Sequence, residues 1–328
     1  MCSRMNCLLF HFLWLMQMEL FERPPRVHYL LFWKKILTPF KGYPPQTTII
    51  VDAMAMVQMI NVVGVATFGV LAEKYWEAFT RALSENDSHR IDIVSDRYDK
   101  KHSIKEQTRL KRGSFSSLEI KIAGENTPIP SQWSKFLSNP VNKANLTHFL
   151  CQRWNDACVD MLAVGKTVVL ARVFRDPLRV VKLTFGNSKV LDELLSDHEE
   201  ADTRMILHAL HACQDHDRVI IQSPDTDVAV IGIHSFTSLH CRELWFRTGT
   251  KDKLRYLPIH TIANHLDPSM CAALPGFHSL TGCDSTSALF GIGKKKGFDL
   301  LRASPEHQKS MSQLGDGLEL STECQVSC

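Results

Sequence analysis

The sequence predicts an α/β fold of three layers, with helices on both faces of a mainly parallel central sheet. Strand-like and helix-like segments alternate along the chain, which favours parallel strands joined by crossover helices. The run 47–51 is continuous and rich in β-branched residues, which is typical of a strand buried on both faces. The chain has 328 residues, 44% hydrophobic and 22% charged, which is the composition of a globular protein.

The charge and the cysteines narrow the class of protein. A net charge of +3 excludes binding of nucleic acid through overall basicity, so any such surface must be a local patch. The ten cysteines show no C-x-x-C pair and no zinc-finger spacing. We therefore expect free thiols and a reducing, intracellular compartment.

An apolar leader occupies residues 1–46. Its most apolar run, 7–18, is too short to span a bilayer. The run resembles the hydrophobic region of a signal peptide, but only Arg4 precedes it and no A-x-A cleavage site follows. We predict no membrane association.

Two predicted strands near the start of the folded region each end in an aspartate. The run 47–51 leads into Asp52, and the strand 90–95 leads into Asp96. A helix is predicted between them, at 73–83. Ligand sites of open α/β sheets form at the carboxyl ends of strands, so both aspartates are candidate site residues. The alternative is that each caps a following helix.

A basic segment follows the second of these strands. Its positive side chains recur at helical spacing and share one face: Lys101, Lys105, Arg109 and Arg112. Such a stripe is commonly a solvated helix surface. Beside a metal site, it would instead track a phosphate backbone.

A helix that ends near Cys213 opens with several acids, among them Glu200 and Asp202. The helix dipole favours acids in a first turn, but this segment holds more than a cap needs. Residues two apart on a regular helix point about 200° from each other, so these two acids share a site only at an irregular helix start. The alternative to Glu200 is Glu199, which lies three residues before Asp202 and would share a helix face with it.

The strand predicted at 218–222 precedes two further acids, Asp225 and Asp227. We predict that the apolar run 228–233 continues as a strand. If the backbone between the two aspartates is extended, their side chains point to the same side.

The remaining elements are predicted from their patterns alone. The middle of the chain favours helix over 131–164 and a β-hairpin from 167–174 and 180–185. A second hairpin is predicted from 244–246 and 255–257. Helices are predicted at 259–266 and 270–281, and a polar, disordered tail is predicted over 304–328.

The stretch 280–301 combines an acid, a glycine turn and a basic helix. Asp284 offers oxygen ligands to a hard cation. The turn from Gly291 to Gly293 offers backbone N–H groups to a phosphate. Positive charge follows on the next predicted helix, at Lys294, Lys295 and Lys296.

Together, these acids predict a cation site at one edge of the sheet. Gathered carboxylates repel one another unless a cation lies between them. Oxygen donors suit Mg²⁺ or Mn²⁺, as one ion or as a pair that acts on a phosphodiester. The predicted ligands are Asp52, Asp96, Glu200, Asp202, Asp225, Asp227 and Asp284.

The order of these motifs resembles that of the flap-endonuclease and XPG-like nucleases of the PIN-like superfamily. The matching segments are the strand ending in Asp52, the strand ending in Asp96 before a basic segment, Glu200-Ala201-Asp202, Ser223-x-Asp225-x-Asp227, Leu280-x-Gly282-x-Asp284, and Gly291-Ile292-Gly293 before a basic helix. The chain has Asp202 where that family usually has a second glutamate. The resemblance covers about 47–112 and 197–302, with 113–189 as a divergent insertion.

The resemblance implies a PIN-like domain over 47–303, with a helix-hairpin-helix-like motif at 284–302. It implies a nuclease that hydrolyses DNA or RNA by a two-metal-ion mechanism and selects for structure rather than for sequence. It implies that Lys105 and Arg109 act in catalysis. The residues implied to grip duplex or branched DNA are Lys101, Arg112, Gly291, Gly293, Lys294, Lys295 and Lys296. A monovalent cation at the Gly291–Gly293 turn and a nuclear location are further implications.

Other interpretations stay open. The stretches HEEADTR and LTGCDSTSA also resemble animal proteins derived from mobile elements, so an inactive, domesticated nucleic-acid-binding protein is the alternative function. A hydrolase of another phosphoester is a third. His208 and His211 share a helical face without a third ligand at matching spacing, and Cys283 has no identified base, so we assign them no role. No protein partner is predicted.

Overall fold

A computed structural model describes residues 47–85, 88–96, 118–171, 176, 178–198, 200–249, 254–283, 286 and 293–315. The described chain divides into two compact units. The sheet unit holds the described residues up to Pro224 together with Cys241–Arg255. The helical unit holds Asp225–His240 and the described residues from Tyr256 onward. The predicted leader lies outside the described residues.

The described residues form one mixed sheet, in the order β5-β4-β3-β2-β1-β6-β7-β8. Its strands are β1 (Thr47–Asp52), β2 (Arg90–Val94), β3 (Thr167–Ala171), β4 (Val180–Thr184), β5 (Asn187–Val190), β6 (Arg218–Gln222), β7 (Glu243–Thr248) and β8 (Arg255–Pro258). The strands from β3 through β2, β1 and β6 to β7 pair in parallel, whereas β3, β4 and β5 pair antiparallel. The mainly parallel α/β fold is confirmed.

Ten α-helices lie within the described residues. They are α1 (Ala53–Met59), α2 (Phe68–Glu85), α3 (Trp133–Ser138), α4 (Pro140–Arg153), α5 (Ala201–Ala212), α6 (Asp227–Leu239), α7 (Ile259–His265), α8 (Pro268–Leu280), α9 (Lys294–Ala303) and α10 (Pro305–Gln313). A π-helical turn follows α4 at Trp154–Cys158.

Helices cover both faces of the sheet unit. On one face, alternate strand residues such as Ile49 and Ile91 pack with α1 to α4 in one apolar cluster. On the other face, α5 contacts β1, β2 and β6. Because successive strand residues point to opposite faces, Ile50 and its neighbour Asp92 on β2 lie on the side of α5.

A buried ion pair lies on the α5 side of β2. Both oxygens of Asp92 receive hydrogen bonds at 2.7 Å from Arg90, and Oδ2 also lies 2.6 Å from Nδ1 of His208 on α5. Nη1 of Arg90 lies 2.9 Å from Nδ1 of His211, one turn further along α5. The two histidines thus receive a structural role that their helical spacing alone did not reveal.

The electrostatics of this pair follow from its burial. Burial alone would raise the pKa of Asp92, but the Arg90 guanidinium and the His208 hydrogen bond outweigh it and hold that pKa below its usual range. Burial lowers the pKa of His208 despite the adjacent carboxylate. A neutral His208 therefore donates from Nδ1 to an ionised Asp92.

In the helical unit, α8 packs closely on α10. A Cβ atom at Gly276 would lie 2.2 Å from the carbonyl oxygen of Met311, so this glycine allows the two backbones to approach. The rings of Phe277 and Phe298 meet edge-on at 6.1 Å and join α8 to α9.

Two predictions are wrong. The run 228–233 belongs to α6 rather than to a strand; its residues Val228, Val230 and Ile231 are all buried. A short, wholly apolar run has no periodicity that separates a buried strand from a buried helix. The tail predicted from 304 instead contains α10, where Ser304 caps the first turn and Pro305 begins the helix.

Two further expectations concern membrane-spanning helices and cysteine thiols. Among the described residues, no helix has both the length and the apolar character needed to cross a membrane. Five described cysteines are free thiols: Cys151, Cys213, Cys241, Cys271 and Cys283.

The buried pair predicts a large stability effect. We expect Asp92→Asn to lower the free energy of unfolding by about 3–5 kcal/mol, because it leaves the Arg90 charge buried without its counterion. Urea denaturation followed by circular dichroism measures this. The exposed Asp192 supplies the control: Asp192→Asn should change stability by less than about 0.5 kcal/mol. Equal effects of the two variants would contradict the assigned role of Asp92.

The buried histidines predict acid sensitivity. Burial lowers the pKa values of His208, His211 and His216 below the usual 6.5. The unfolded chain therefore binds more protons as the pH falls below that value, and stability falls with it. The loss is up to about 1.4 kcal/mol per pH unit for the fully buried His208 and smaller for the half-exposed His211 and His216, whose charges are screened by water. Urea denaturation between about pH 7.5 and about pH 5.5 tests this. His208→Gln should flatten the pH dependence, whereas His265→Gln, at an exposed position, should not.

Candidate functional site

The strand order reverses at β1. Strands β2 and β3 lie on one side of it, and β6 and β7 on the other. In open α/β sheets, ligands bind outside the carboxyl ends of the strands at such a reversal. Asp52 is the last residue of β1 and therefore lies at this point.

Asp52 also begins helix α1. Its Oδ1 accepts hydrogen bonds from the backbone N–H groups of Met54 and Ala55, at 2.9 and 3.1 Å. This is the helix-capping role that the sequence left open. The side chain is half-buried, so capping does not remove the carboxylate from the surface of the edge.

Asp96 connects the end of β2 to the start of α5. It follows β2 by two residues, and its Oδ1 accepts a 2.9 Å hydrogen bond from the backbone N–H of Ala201, the first residue of α5. Asp52 pairs in register with Val94, the last residue of β2. The two strand-end aspartates and the start of α5 therefore belong to one edge of the sheet unit.

Glu200 and Asp202 lie at this start of α5. Glu200 occupies the N-cap position of the helix with an extended backbone, at φ −95° and ψ 148°, and Asp202 lies in the first turn. This is the irregular helix start that a shared site of the two acids requires. The side chain of Glu200 is buried and that of Asp202 is half-buried. The alternative residue Glu199 lies outside the described residues.

The same edge carries an arginine that the motif analysis missed. Arg247 on β7 pairs in register with Gln222, the last residue of β6, and donates a hydrogen bond to its side-chain oxygen. The amide nitrogen of Gln222 lies 3.2 Å from the Met56 sulfur on α1. The sequence did contain a signal for this residue, because Arg247 directly follows the strand predicted at 244–246.

The four acids of this edge do not form a compact three-ligand cluster. Among the residues that the structure describes, one group of three His, Cys, Asp or Glu side chains has all its ligand atoms within 4.8 Å of one another. That group contains none of Asp52, Asp96, Glu200 and Asp202. The structure thus places these acids on one edge without bringing three of them to a single point.

Asp225 and Asp227 belong to the helical unit, at the start of α6. Oδ1 of Asp225 accepts a 3.0 Å hydrogen bond from the backbone N–H of Asp227, across a residue with helical φ and ψ. The extended segment that would point both side chains to one side is therefore not formed.

Asp227 is part of the compact group, together with His278 and Cys283. Nε2 of His278 lies 3.0 Å from Oδ1 of Asp227. His278 is almost fully buried near the end of α8, and Cys283 follows that helix by three residues. The sequence analysis missed this group because Asp227 lies 51 residues from His278 in the chain and only one member of the group is acidic.

The predicted basic helix is confirmed as α9, which begins at Lys294 after Gly293. Nζ of Lys294 lies 3.5 Å from Nδ1 of His278, whereas Lys295 and Lys296 are exposed. The other predicted site residues lie outside the part of the chain that the structure describes: Lys101, Lys105, Arg109, Arg112, Asp284 and Gly291.

Comparison with known proteins assigns no family. No protein-family model matches the chain, and no curated protein matches it. The similarity to flap-endonuclease-like nucleases therefore rests on the motifs themselves and stays a prediction.

Two substitutions of Asp52 separate the role of its charge from the role of its hydrogen bonds to the start of α1. We expect Asp52→Ala to lower the free energy of unfolding by about 1 kcal/mol, because two N–H groups lose their acceptor. Asp52→Asn keeps the acceptor oxygen and should stay within a few tenths of a kcal/mol of the wild type. Urea denaturation compares the two, and an equal loss in both variants would contradict a capping role.

Proposed function

We propose that this protein is a metal-dependent phosphodiesterase that acts on nucleic acid, with its reaction centre at the carboxyl edge of the sheet unit. The observation that carries the proposal is the position of Asp52 at the reversal of the strand order, on the same edge as the contact between Asp96 and Ala201. Ligand sites of open α/β sheets form at this position.

The donors at this edge fit Mg²⁺ or Mn²⁺. They are carboxylate oxygens from Asp52, Asp96, Glu200 and Asp202, and hard cations prefer oxygen. Mg²⁺ keeps several waters and binds through one or two carboxylates, so it does not need a compact three-ligand cluster. When bound, it would neutralise charge on the phosphodiester and lower the pKa of water. Asp225, Asp227 and Asp284 enter this ligand set through the resemblance alone.

The protein's own cations would hold the substrate. Arg247 offers a planar guanidinium that can bind two phosphate oxygens at once. The exposed Lys295 and Lys296 offer contacts to the phosphate backbone. Because phosphate contacts carry no base information, the proposed preference is for the shape of DNA or RNA rather than for its sequence. The catalytic roles of Lys105 and Arg109 remain part of the proposal on the resemblance.

A second function is favoured by one observation. Asp52 and Asp96 each accept backbone N–H groups at a helix start, so both acids have a structural reason to be present without catalysis. The corresponding alternative is a nucleic-acid-binding protein with the same fold and no turnover.

Cleavage assays distinguish the two functions. Purified protein is incubated with labelled branched and linear DNA and RNA, in Mg²⁺, in Mn²⁺ or in EDTA. We expect metal-dependent cleavage that falls at least about 100-fold in Asp52→Asn and in Asp96→Asn, because each substitution removes a charged oxygen donor and keeps the acceptor of the cap. Asp192→Asn, at an exposed position, is the matched control and should cleave like the wild type.

The contrary results are equally specific. Salt-sensitive binding of DNA without cleavage in any metal would favour the inactive alternative. Cleavage that persists unchanged in both variants would remove the reaction centre from this edge. If the protein shows no cleavage and no salt-sensitive binding, both functions are contradicted.

A further inference from the structure

A second metal environment lies within the helical unit, at the Asp227–His278–Cys283 group. Each side chain offers one ligand atom, and the three atoms all lie within 4.8 Å of one another. Asp227 comes from the first turn of α6, and His278 comes from α8. Cys283 comes from the segment that follows α8. Packing of α6 against α8 therefore brings together an oxygen, a nitrogen and a sulfur donor.

The backbone around these side chains holds them in place. Asp225 accepts the backbone N–H of Asp227, which orients the first turn of α6. His278 is 2% exposed, and its Nε2 lies 3.0 Å from Oδ1 of Asp227. Burial and this contact together leave the imidazole little freedom to turn away.

The cysteine is held by Thr286. The backbone N–H of Cys283 donates to Oγ1 of Thr286 at 3.1 Å, and the Thr286 hydroxyl donates to the carbonyl oxygen of Ser279 at 2.7 Å. The Cys283 sulfur lies 3.1 Å from the same Oγ1. Because the single hydroxyl proton points to Ser279, the Cys283 thiol is the donor in this last contact.

We propose that Asp227, His278 and Cys283 bind a borderline divalent cation, with Zn²⁺ preferred over Mg²⁺. Zn²⁺ accepts thiolate, imidazole and carboxylate ligands together, whereas Mg²⁺ prefers oxygen alone. Structural zinc sites have four protein ligands, so three protein ligands leave one position for water or substrate. On binding, the Sγ–H bond of Cys283 breaks, its electron pair goes to the cation and the proton passes to solvent.

This inference goes beyond the proposed function. It requires neither nucleic acid nor Mg²⁺, and it gives Asp227 partners other than the acids of the sheet unit. An ionised Asp227 and a Cys283 thiolate carry two negative charges that one divalent cation would neutralise. The group is therefore electrostatically suited to a dipositive ion rather than to a monovalent one.

The positive charge of Lys294 would repel a cation bound at this group. Its Nζ lies 3.5 Å from Nδ1 of His278, whereas Asp227 contacts the other ring nitrogen, Nε2. When Nε2 binds a metal, the ring proton of a neutral imidazole resides on Nδ1 and faces this ammonium group. Lys294 lies in the first turn of α9 and is half-buried, so its side chain can turn away at some cost. The proposal therefore includes a consequence for Lys294: removing its charge should tighten metal binding.

The test titrates the full-length protein, first stripped with EDTA and dialysed, with Co²⁺ as a spectroscopic substitute for Zn²⁺. We expect one equivalent of Co²⁺ to produce a near-ultraviolet thiolate-to-cobalt charge-transfer band and visible bands of a tetrahedral ion. Added Zn²⁺ should displace Co²⁺ and abolish these bands, whereas added Mg²⁺ should leave them unchanged.

Variants assign the ligands. Cys283→Ser should lose the charge-transfer band, and His278→Gln should weaken Zn²⁺ binding at least about tenfold in a chelator competition. Lys294→Gln should tighten it. Matched controls in the same unit are Cys271→Ser and His265→Gln, which should behave like the wild type. Burial and Asp267 raise the pKa of the Cys271 thiol to about 11, so it stays protonated.

The contrary outcomes are defined. Absence of a charge-transfer band in a folded wild-type protein would overturn the proposal, as would a band that survives in Cys283→Ser. Weaker binding in Lys294→Gln would mean that Lys294 supports the site rather than opposing it and would contradict the assigned electrostatics. None of these readouts measures cleavage. The metal-binding proposal and the proposed nuclease function can therefore fail independently of each other.

Discussion

The pairing of Arg90 with Asp92 inside β2 is the interaction on which the arrangement of the sheet unit depends. A carboxylate in the centre of a buried strand is stable only when its oxygens are hydrogen-bonded and its charge is balanced. Arg90 supplies the charge from the same strand, and His208 supplies a hydrogen bond from α5. The pair therefore ties α5 to the sheet, and the start of α5 lies where Asp96 accepts its first N–H.

The position of α5 against the sheet adds two acids to the carboxyl edge. Asp52 and Asp96 come from strand ends, whereas Glu200 and Asp202 arrive with α5, so four acids share an edge that a sheet alone would supply with two. The aspartates at the strand ends combine two roles, since each accepts backbone N–H groups while its charge remains at the edge. Only a change that keeps the hydrogen bond and removes the charge separates these roles.

The two units offer different ligand chemistry. The edge of the sheet unit presents oxygen donors, which suit a hard cation. The helical unit presents an oxygen, a nitrogen and a sulfur within 4.8 Å of one another, which suits a borderline cation. Asp227 was expected in the first set because it follows a strand in the sequence. In the structure it lies in the first turn of α6, with its Oδ1 3.0 Å from Nε2 of His278, so its nearest potential ligand partners are those of the second set.

The sequence by itself determined the strands with continuous β-branched runs, the mainly parallel α/β class and the acids at strand ends, because these are local patterns. It did not determine the run 228–233, since a short apolar segment fits a buried strand and a buried helix equally well, and only packing in the helical unit decides for α6. The Asp92 network and the Asp227–His278–Cys283 group were decided by the tertiary structure alone. Their members lie on separate elements, 116 residues apart for Asp92 and His208 and 51 residues apart for Asp227 and His278, and no local pattern encodes which helix face meets which partner.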